Sequence, residues 1–205
     1  MTRKEKNNMT RQKIIDSAII EFGTHSYKEA SLNKICSLGN ISKGIIYHYF
    51  DDKDDLYLYC VKKVFEGVGN SFTNITSDTK SVENSMLEYV DTRKAYFDKH
   101  PYFENIFTSA LLQTPKHLLE DIKEIKKSLD KTNRVYYKQL FTNVTLNQDI
   151  TIDEAIDYLF LFQESLNNSF RSKSYDDNRS LVHDHDLKIR KLLKILLYGI
   201  LKEEV

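Results

Sequence analysis

The stretch from Ser31 to Phe50 constrains the fold more than any other part of this 205-residue chain, because it predicts two short helices separated by a tight turn. Serine caps helices well, and Ser31 and Ser42 each precede a segment with apolar residues at helical spacing. The turn contains Gly39, which permits close helix approach, and Asn40, a residue type that tolerates the left-handed conformation. The predicted buried residues are Leu32, Ile35, Cys36, Ile41, Ile46, Tyr49 and Phe50. This pattern is typical of a helix-turn-helix.

The second helix of the pair would leave small, polar and basic residues exposed. A helix that enters the DNA major groove needs such residues near its N-terminus, together with donors for phosphate oxygens along its flank. Ile45 cannot hydrogen-bond to a base edge, but it can pack against a thymine methyl group. The candidate DNA-contacting residues here are Ser31, Ser42, Lys43, Gly44, Ile45, Tyr47 and His48. An ordinary helical hairpin in an all-α core is the alternative, since such hairpins are common.

Residues 10–65 resemble the N-terminal DNA-binding domain of the tetracycline-repressor (TetR/AcrR) family of bacterial transcription regulators. The matching residues are Phe22-Gly23, the cap Ser31, Tyr47-His48-Tyr49-Phe50 and Lys53-Asp54-Asp55-Leu56, in the family's order. Gly39, Asn40 and Ile45 depart from the residues that the family usually has there. The resemblance implies that Lys53, at the start of the fourth helix, touches a DNA phosphate.

The same resemblance implies an all-α fold of about nine helices. A three-helix, helix-turn-helix DNA-binding domain would occupy residues 1–50, and a larger helical effector-binding and dimerisation domain would occupy residues 51–205. The fourth helix, at about residues 52–69, would connect them.

Composition agrees with a soluble helical protein. Hydrophobic residues make up 40% and charged residues 29%, and the presence of only six glycines and two prolines favours long helices with short joints. No apolar run approaches the length of a transmembrane helix, and the first residues lack the apolar core of a signal peptide. We therefore expect a cytoplasmic protein without a membrane partner.

The distribution of charge favours DNA binding at the N-terminal end, although the formal net charge of the whole chain is zero. Residues 1–50 contain eight Lys or Arg against four Asp or Glu, so they carry a net charge of +4 and the remaining residues carry −4. This modest asymmetry suits specific binding by a dimer better than indiscriminate coating of nucleic acid.

No constellation of residues indicates catalysis. The sequence lacks a glycine-rich phosphate loop, a nucleophile elbow, an HExxH motif and paired CxxC motifs, so we expect neither an enzyme nor a bound cofactor. Cys36 and Cys60 are predicted to be core residues rather than a disulfide or metal pair. The segment His183-Asp184-His185-Asp186 is predicted to cap and solvate a helix start rather than to bind a metal, because i, i+2 side chains do not share a helix face.

Helix boundaries follow from periodicity and capping residues. The first helix is predicted from Thr10 to Phe22, ended by Gly23 and preceded by a loose arm at residues 1–9. Asp52 is the predicted cap of the fourth helix. Further helices are predicted over 82–99, from Pro101, from Thr114-Pro115, from the capping box Thr151 to Glu154 and at the C-terminal end, with polar loops at 70–81 and 172–180.

The middle and last helices carry the expected ligand and dimer contacts. Family members bind an effector in a chamber of the body and pair their last two helices with those of a second subunit. The candidate effector-pocket residues are Tyr89, Tyr96, Phe103, Phe107, Leu111, Tyr136 and Phe160. The candidate dimer-interface residues are Leu159, Phe162, Leu166, Leu192, Leu193, Leu196 and Ile200. Aromatic residues at helical spacing can equally fill an ordinary core.

The expected function is transcriptional regulation, as a homodimeric repressor that binds a palindromic double-stranded DNA operator and is released by a small apolar or aromatic effector. Two alternatives remain at this stage. The same DNA-binding head could have a body that answers to a protein partner or to no ligand. The chain could also be an all-α enzyme or carrier in which the hairpin is only structural.

Overall fold

The computed structural model describes residues 2–72, 81–147, 149–171, 173, 175 and 178–200. Within these ranges the chain is all-α, with nine α-helices and one short 3-10 helix. The helices are α1 (Arg3–Thr24), α2 (Leu32–Gly39), α3 (Lys43–Tyr49), α4 (Lys53–Ser71), α5 (Val82–Lys99), α6 (Pro101–Leu112), α7 (Leu119–Thr142), α8 (Ile152–Arg171) and α9 (Asn178–Ile200), with the 3-10 helix at Lys116–Leu118. The predicted fold class is confirmed. The loop predicted at 172–180 is wrong at residues 178–180, which belong to α9. Most of the other residues of the loops predicted at 70–81 and 172–180 lie outside the described residues.

The chain forms two compact units. The first combines Met1–Gly67 with Phe97–Lys126, and the second combines Val68–Tyr96 with Lys127–Val205. In the first unit α1 packs against α2 and α6, and α2 packs against α3; in the second, α8 packs against α9. The predicted division near residue 50 into a DNA-binding part and an effector-binding part concerns function, and it stays a prediction.

Helix α1 is longer than predicted. It begins at Arg3 instead of Thr10, because Thr2 and Glu5 form a capping box in which each side chain accepts a hydrogen bond from the other residue's backbone N–H. Residues 3–9 contain neither Gly nor Pro, so the helix continues without interruption. The loose arm predicted at residues 1–9 is therefore wrong for residues 2–9.

Gly23 does not end α1. Its backbone stays helical, and the helix continues to Thr24 before His25 adopts an extended conformation. A Cβ atom added at Gly23 would lie 2.5 Å from the Cβ of Tyr102 on α6. The glycine is thus needed for the close approach of α6, which is further held by the Asn105 amide donating to the Gly23 carbonyl at 2.6 Å.

The core of the first unit is built from the apolar stripes of its helices. Its fully buried side chains come from α1, from the helix pair α2 and α3, and from α4, with α6 contributing Ile106. Burying each such side chain contributes about 1.5–3 kcal/mol relative to exposure. The largest are Ile14, Ile15, Phe22, Ile35, Ile46, Leu56, Tyr57, Phe65 and Ile106. These contacts make the helix pair α2 and α3 part of a packed body rather than a free hairpin.

Most capping predictions are matched. The Asp52 carboxylate accepts from the Asp55 N–H at 2.8 Å at the start of α4, and Pro101 occupies the first turn of α6. The capping box of α8 forms between Thr151 and Glu154. The prediction for Thr114-Pro115 was wrong: the Thr114 hydroxyl donates back to the Ala110 carbonyl of α6, and the 3-10 helix precedes α7.

None of the helices in the described residues combines the length and the apolar composition that a membrane span requires. Both cysteines are free thiols. Cys60 is buried as predicted, whereas Cys36 is partly exposed, because the short helix α2 turns only one narrow face inward.

Candidate nucleic-acid interface

The turn between α2 and α3 has the predicted conformation. Asn40 has φ 45° and ψ 53°, the single positive φ of a non-glycine residue in the described part of the chain. Its N–H bonds to the carbonyls of the last turn of α2, and the Ile41 N–H donates to the Cys36 carbonyl at 3.0 Å. A Cβ at Gly39 would lie 2.8 Å from the Ser17 hydroxyl of α1. The backbone therefore fixes the angle at which α3 leaves α2.

Helix α3 is anchored on one face and open on the other. The Ser42 hydroxyl accepts from the Ile45 N–H at 3.4 Å, Ile46 is fully buried, and Phe50 follows the helix as a buried residue. Ile45 and Tyr47 are large apolar side chains that remain 38% and 49% exposed. The exposed face consists of the predicted residues Lys43, Gly44, Ile45, Tyr47 and His48.

Gly44 has no packing reason to be glycine. A Cβ added there would meet nothing within 4 Å, so the position faces open space near the N-terminus of α3. The Lys43 ammonium lies 5.9 Å from the centre of the Tyr47 ring, so these two side chains share one edge of the helix. The surface thus offers a flat backbone patch bordered by a cation and a phenol.

Tyr49 joins α3 to the first turns of α1, a contact that sequence reasoning did not identify. Its hydroxyl donates to the main-chain carbonyl of Asn7 at 3.3 Å. The Arg11 guanidinium, one turn further along α1, lies 4.3 Å from the Tyr59 ring centre and donates to its hydroxyl at 3.0 Å. The extended part of α1 therefore stands beside the exposed helix.

Ser31 and Glu21 form a second contact that fixes the start of α2. The Ser31 hydroxyl accepts from the Asn33 N–H at 3.2 Å, as expected for a cap, and the Ser31 N–H donates to the Glu21 carboxylate at 3.0 Å. Glu21 is only 3% exposed, and its other oxygen lies 3.4 Å from the His25 ring. A signal for Glu21 exists in the sequence, since a carboxylate three residues after Ala18 falls within the apolar stripe of α1.

Lys53 belongs to a group that we call the Tyr27 cluster, composed of Tyr27, Lys53, Asp54 and His117. The Lys53 ammonium lies 4.4 Å from the centre of the Tyr27 ring. The Tyr27 hydroxyl donates to one oxygen of Asp54, and the His117 Nε2 lies 3.1 Å from the other. The cluster brings together the α1–α2 connection, the start of α4 and the 3-10 helix.

Two ionisation equilibria in the cluster are displaced. Burial, together with the hydrogen bond to Asp54, raises the pKa of Tyr27 above its ordinary value, so the hydroxyl remains a donor. Partial burial lowers the pKa of Lys53, and the nearby charges of Asp54 and Glu21 oppose that shift. Lys53 is thus a partly desolvated cation whose position is set by its neighbours.

The helix pair and the helices around it match a known protein family. Residues 14–60 match the model of the bacterial regulatory proteins of the tetR family, and this range covers α1 from its first buried residue, Ile14, the helix pair and the first eight residues of α4. Residues 14–60 thus form a DNA-binding domain of the TetR family. The chain is a TetR-like DNA-binding transcription regulator.

Relatives agree with this placement of the TetR-family chain. It is 26% identical over 195 residues to IcaR of Staphylococcus aureus, a negative transcriptional regulator of the biofilm operon icaADBC, with 91% of this chain and 98% of that protein covered. It is 22% identical over 115 residues to the transcriptional repressor NicS of Pseudomonas putida, a match that spans 56% of this chain and only about half, 54%, of NicS.

A solved structure shows the same fold over nearly the whole chain. The transcriptional regulator FadR of Bacillus subtilis, determined in complex with stearoyl-CoA, has a TM-score of 0.62 at 18% identity, covering 93% of this chain and 99% of that one. The likeness extends through the helices that follow the family-model match, so the body of this TetR-family chain has the fold of that regulator.

The predicted effector-pocket residues fall in both compact units. Phe103, Phe107 and Leu111 belong to the first, and Tyr89, Tyr96, Tyr136 and Phe160 to the second. The Tyr89 hydroxyl donates to the Asn133 side chain at 2.7 Å, and the Tyr136 hydroxyl donates to the Ser85 carbonyl at 2.8 Å. The hydroxyls of Tyr89 and Tyr136 are therefore hydrogen-bonded within the second unit.

Three of the predicted dimer-interface residues are buried within their own subunit, and three are partly exposed. Leu159, Leu166 and Leu193 are 0%, 5% and 4% exposed, while Phe162, Leu192 and Leu196 are partly exposed. The side chain of Ile200 lies outside the description. The exposed large apolar residues of the same two helices are Tyr158, Leu161, Leu187, Ile195 and Tyr198.

The histidine and aspartate segment near the C-terminus lies inside α9 rather than at its start. The His185 Nε2 lies 3.1 Å from the Asn167 side-chain oxygen of α8, and Asp186 pairs with Arg93 of α5 at 3.3 Å. Across the described residues, no group of three or more acidic, histidine or cysteine side chains is placed to hold a metal ion. His185 and Asp186 thus contact the neighbouring helices α8 and α5.

Proposed function

We propose that this TetR-family regulator is a homodimeric repressor whose two α3 helices enter successive major grooves of a palindromic operator. The observation that carries the proposal is the exposed face of α3, which projects small, apolar, aromatic and basic groups from a turn held in a fixed conformation. A two-fold dimer would place the helices about 34–36 Å apart, one turn of DNA. The relatives IcaR and NicS, a negative regulator and a repressor, support the direction of regulation.

Each residue of this face has a role that its chemistry allows. Gly44 lets the backbone approach the base edges, and Ile45 packs against a thymine methyl group. Lys43, Tyr47 and His48 donate to phosphates or to base edges. The hydroxyls of Ser31 and Ser42 and the ammonium of Lys53 donate to phosphates. A serine hydroxyl that accepts from a backbone N–H at a helix cap keeps its own proton for an outside acceptor.

Dimerisation would use the exposed apolar faces of α8 and α9. Tyr158 and Leu161 are three residues apart and share a face of α8, and Leu187, Ile195 and Tyr198 fall within one face of α9. Exposed apolar clusters of this kind on a soluble protein are typical of interaction sites. Leu159, Leu166 and Leu193 would then support the interface from within the subunit rather than touch the partner.

An effector would act through the body of the protein. The second unit contains aromatic rings next to amide and hydroxyl groups, including Tyr89, Asn133, Tyr137 and Gln163, and such side chains suit a mainly apolar ligand with one polar group. A ligand that binds one conformation more tightly shifts the population by that difference in affinity. Helix α4 connects Lys53 covalently to the second unit and is the proposed route.

A regulator whose body is not ligand-controlled, or answers to a protein partner, is the second candidate. The internal hydrogen bonds of Tyr89 and Tyr136 favour it, because those hydroxyls are satisfied without a ligand. A thermal-shift screen separates the two possibilities. Stabilisation by an apolar or aromatic compound that also releases DNA supports the effector proposal, and no response across broad chemical classes opposes it.

DNA binding itself is tested with the purified full chain and fragments of the region upstream of its own gene. Binding is measured at two salt concentrations with excess competitor DNA, and the wild type is compared with Lys43→Ala and with Lys131→Ala, a matched control on α7. Selective, saturable binding that Lys43→Ala weakens and Lys131→Ala preserves supports the proposal. Unselective binding to upstream and genome-wide fragments alike would contradict it.

A further inference from the structure

The Tyr27 cluster determines where the Lys53 ammonium lies and so how it meets DNA. The inference rests on the proposed function of Lys53 as a phosphate contact. A lysine on a helix surface has a flexible four-carbon stem and many rotamers, so ordering it on a phosphate carries an entropic cost. Lys53 departs from that situation, because its ammonium lies 4.4 Å from the centre of the Tyr27 ring. A cation over an aromatic face is held without losing its charge.

The ring itself is anchored at both ends. The Tyr27 hydroxyl donates to Asp54 Oδ1, and its ring contacts the Tyr57 ring, with centroids 4.9 Å apart. Tyr57 is 1% exposed and belongs to the core of the first unit. Tyr27 therefore offers Lys53 a surface whose position is set by buried neighbours.

Asp54 poses a competing interaction, since it follows Lys53 directly in the chain and carries the opposite charge. A carboxylate that paired with the ammonium would reduce the attraction of Lys53 for a phosphate. Both oxygens of Asp54 are already engaged, Oδ1 by the Tyr27 hydroxyl and Oδ2 by His117 Nε2 at 3.1 Å. The geometry leaves the ammonium on the aromatic ring.

We propose that Tyr27 is a positioning residue for DNA binding, which holds the Lys53 ammonium on its ring for a phosphate, while His117 keeps Asp54 from pairing with that ammonium. Tyr27 and His117 do not touch DNA in this arrangement. They act through Lys53, and they connect its availability to the α1–α2 connection and to the 3-10 helix before α7.

The test measures operator affinity as a function of salt for the full-length protein. Each phosphate contact contributes roughly one unit to the slope of log K against log salt, so a dimer that loses Lys53 loses about two units. Lys53→Gln and Tyr27→Leu are each expected to lower affinity about tenfold or more and to reduce the slope by this amount. The double variant is expected to bind no more weakly than Lys53→Gln alone.

Two variants separate positioning from simple destabilisation. Tyr27→Phe keeps the ring but frees Asp54 Oδ1, so it is combined with Asp54→Asn, and this double variant is expected to retain most of the salt slope of Asp54→Asn alone. Val64→Ala removes buried volume from α4 far from the cluster, so it is expected to lower the melting temperature and leave the slope unchanged. The inference would be overturned if Tyr27→Leu kept the wild-type salt slope. It would also be overturned if the losses of operator affinity caused by Tyr27→Leu and Lys53→Gln were independent, so that the double variant bound more weakly than Lys53→Gln alone.

The role of His117 is tested by a double-mutant cycle with Asp54. His117→Ala frees one oxygen of Asp54 and is expected to weaken operator binding several-fold, and this loss is expected to vanish in an Asp54→Asn background, where no carboxylate remains to capture Lys53. An equal loss in both backgrounds would overturn this part. An unchanged salt slope in Lys53→Gln would show that Lys53 is no phosphate contact and would end the inference, while selective DNA binding by that same variant would leave the proposed repressor function intact.

Discussion

Gly23 on α1 and Tyr102 on α6 approach so closely that a Cβ atom at position 23 would lie 2.5 Å from the Tyr102 Cβ and 2.6 Å from its carbonyl oxygen. Backbone atoms cannot move aside as a flexible side chain can. The two helices are therefore in contact through their main chains, and the packing of the first unit depends on the missing side chain.

Gly23→Ala is expected to destabilise the fold by at least about 2 kcal/mol, because the added methyl group forces α1 and α6 apart. Chemical denaturation monitored by helical circular dichroism measures the change. The matched control is Gly199→Ala in α9, where an added Cβ meets nothing within 4 Å and helix propensity alone predicts a small gain. Equal stability of the two variants would contradict the close contact.

Gly44→Ala separates stability from DNA binding. The position is open, so alanine is expected to raise the free energy of unfolding slightly, by at most about 1 kcal/mol. Operator affinity is expected to fall roughly tenfold, equivalent to about 1.4 kcal/mol, because the methyl group keeps the backbone away from the bases. Denaturation of one preparation tests the rise in the free energy of unfolding, and DNA titration of the same preparation tests the fall in affinity. Unchanged affinity would remove Gly44 from the interface.

Glu21→Ala is expected to destabilise the first unit by about 1–3 kcal/mol, since the partly buried Ser31 N–H loses its acceptor and α2 loses a restraint at its N-terminus. Glu21→Gln keeps a carbonyl oxygen in the same place and is expected to cost less. The control is Glu66→Ala, whose side chain is 52% exposed and whose ion pair with Lys62 is a surface contact. Thermal unfolding of the three variants decides the order.

The burial of Cys60 is expected to lower the free energy of unfolding at alkaline pH. Burial raises the pKa of its thiol from 9.0 to about 12, so the unfolded chain releases this proton between those values while the folded chain keeps it. Stability from this group is complete below pH 9 and falls as pH rises toward 12. Cys60→Ala is expected to show a shallower decline over that range, which denaturation at several pH values measures.

Thiol labelling provides an independent check of the same residue. Cys36 is partly exposed and Cys60 is buried, so a thiol reagent at neutral pH is expected to modify the native protein at Cys36 first and to reach Cys60 on unfolding. Cys36→Ala then leaves a native protein that reacts slowly. Rapid labelling of Cys60 in that variant would show that the core around α4 opens readily.

Ile195→Asp and Leu161→Asp are expected to convert the proposed dimer to monomers, because each places a carboxylate in an apolar interface. Light scattering after size-exclusion chromatography measures the mass. Val135→Asp is the control, since Val135 is 55% exposed on α7 and has no place in the proposed interface. Dimers that survive the first two substitutions would place the interface elsewhere.

Local signals predicted the helix-turn-helix well. Ser31, Gly39, Asn40 and Ser42 each act within a few residues of their own position, so their effect on the backbone is visible in sequence. The capping box between Thr2 and Glu5 is equally local, and it makes α1 longer than the apolar periodicity from Thr10 predicts.

Apolar periodicity was less informative about partners. It identifies which side of a helix is buried, but it does not say what covers that side, so Leu159 and Leu193 were assigned to a second subunit although their own subunit buries them. Gly23 shows the same limit, because a glycine near a helix end is ambiguous between a stop and a close approach. Only the position of Tyr102 resolves it.

Contacts between distant residues were beyond sequence reasoning. Lys53 was expected at the start of α4, but its neighbours Tyr27 and His117 come from positions 26 residues before and 64 residues after it. No periodicity links such positions. Their association depends on tertiary packing of the first unit.

Tyr49 donates to the carbonyl of Asn7, a group that every amino acid supplies, and does not use the Asn7 side chain. Position 7 can therefore mutate without loss of this contact, whereas Tyr49→Phe removes it at once. The attachment of the first turns of α1 to α3 thus depends on one side chain and on the continuity of a helix. The exposed side chains of those turns can therefore be substituted while the turns keep their position beside α3.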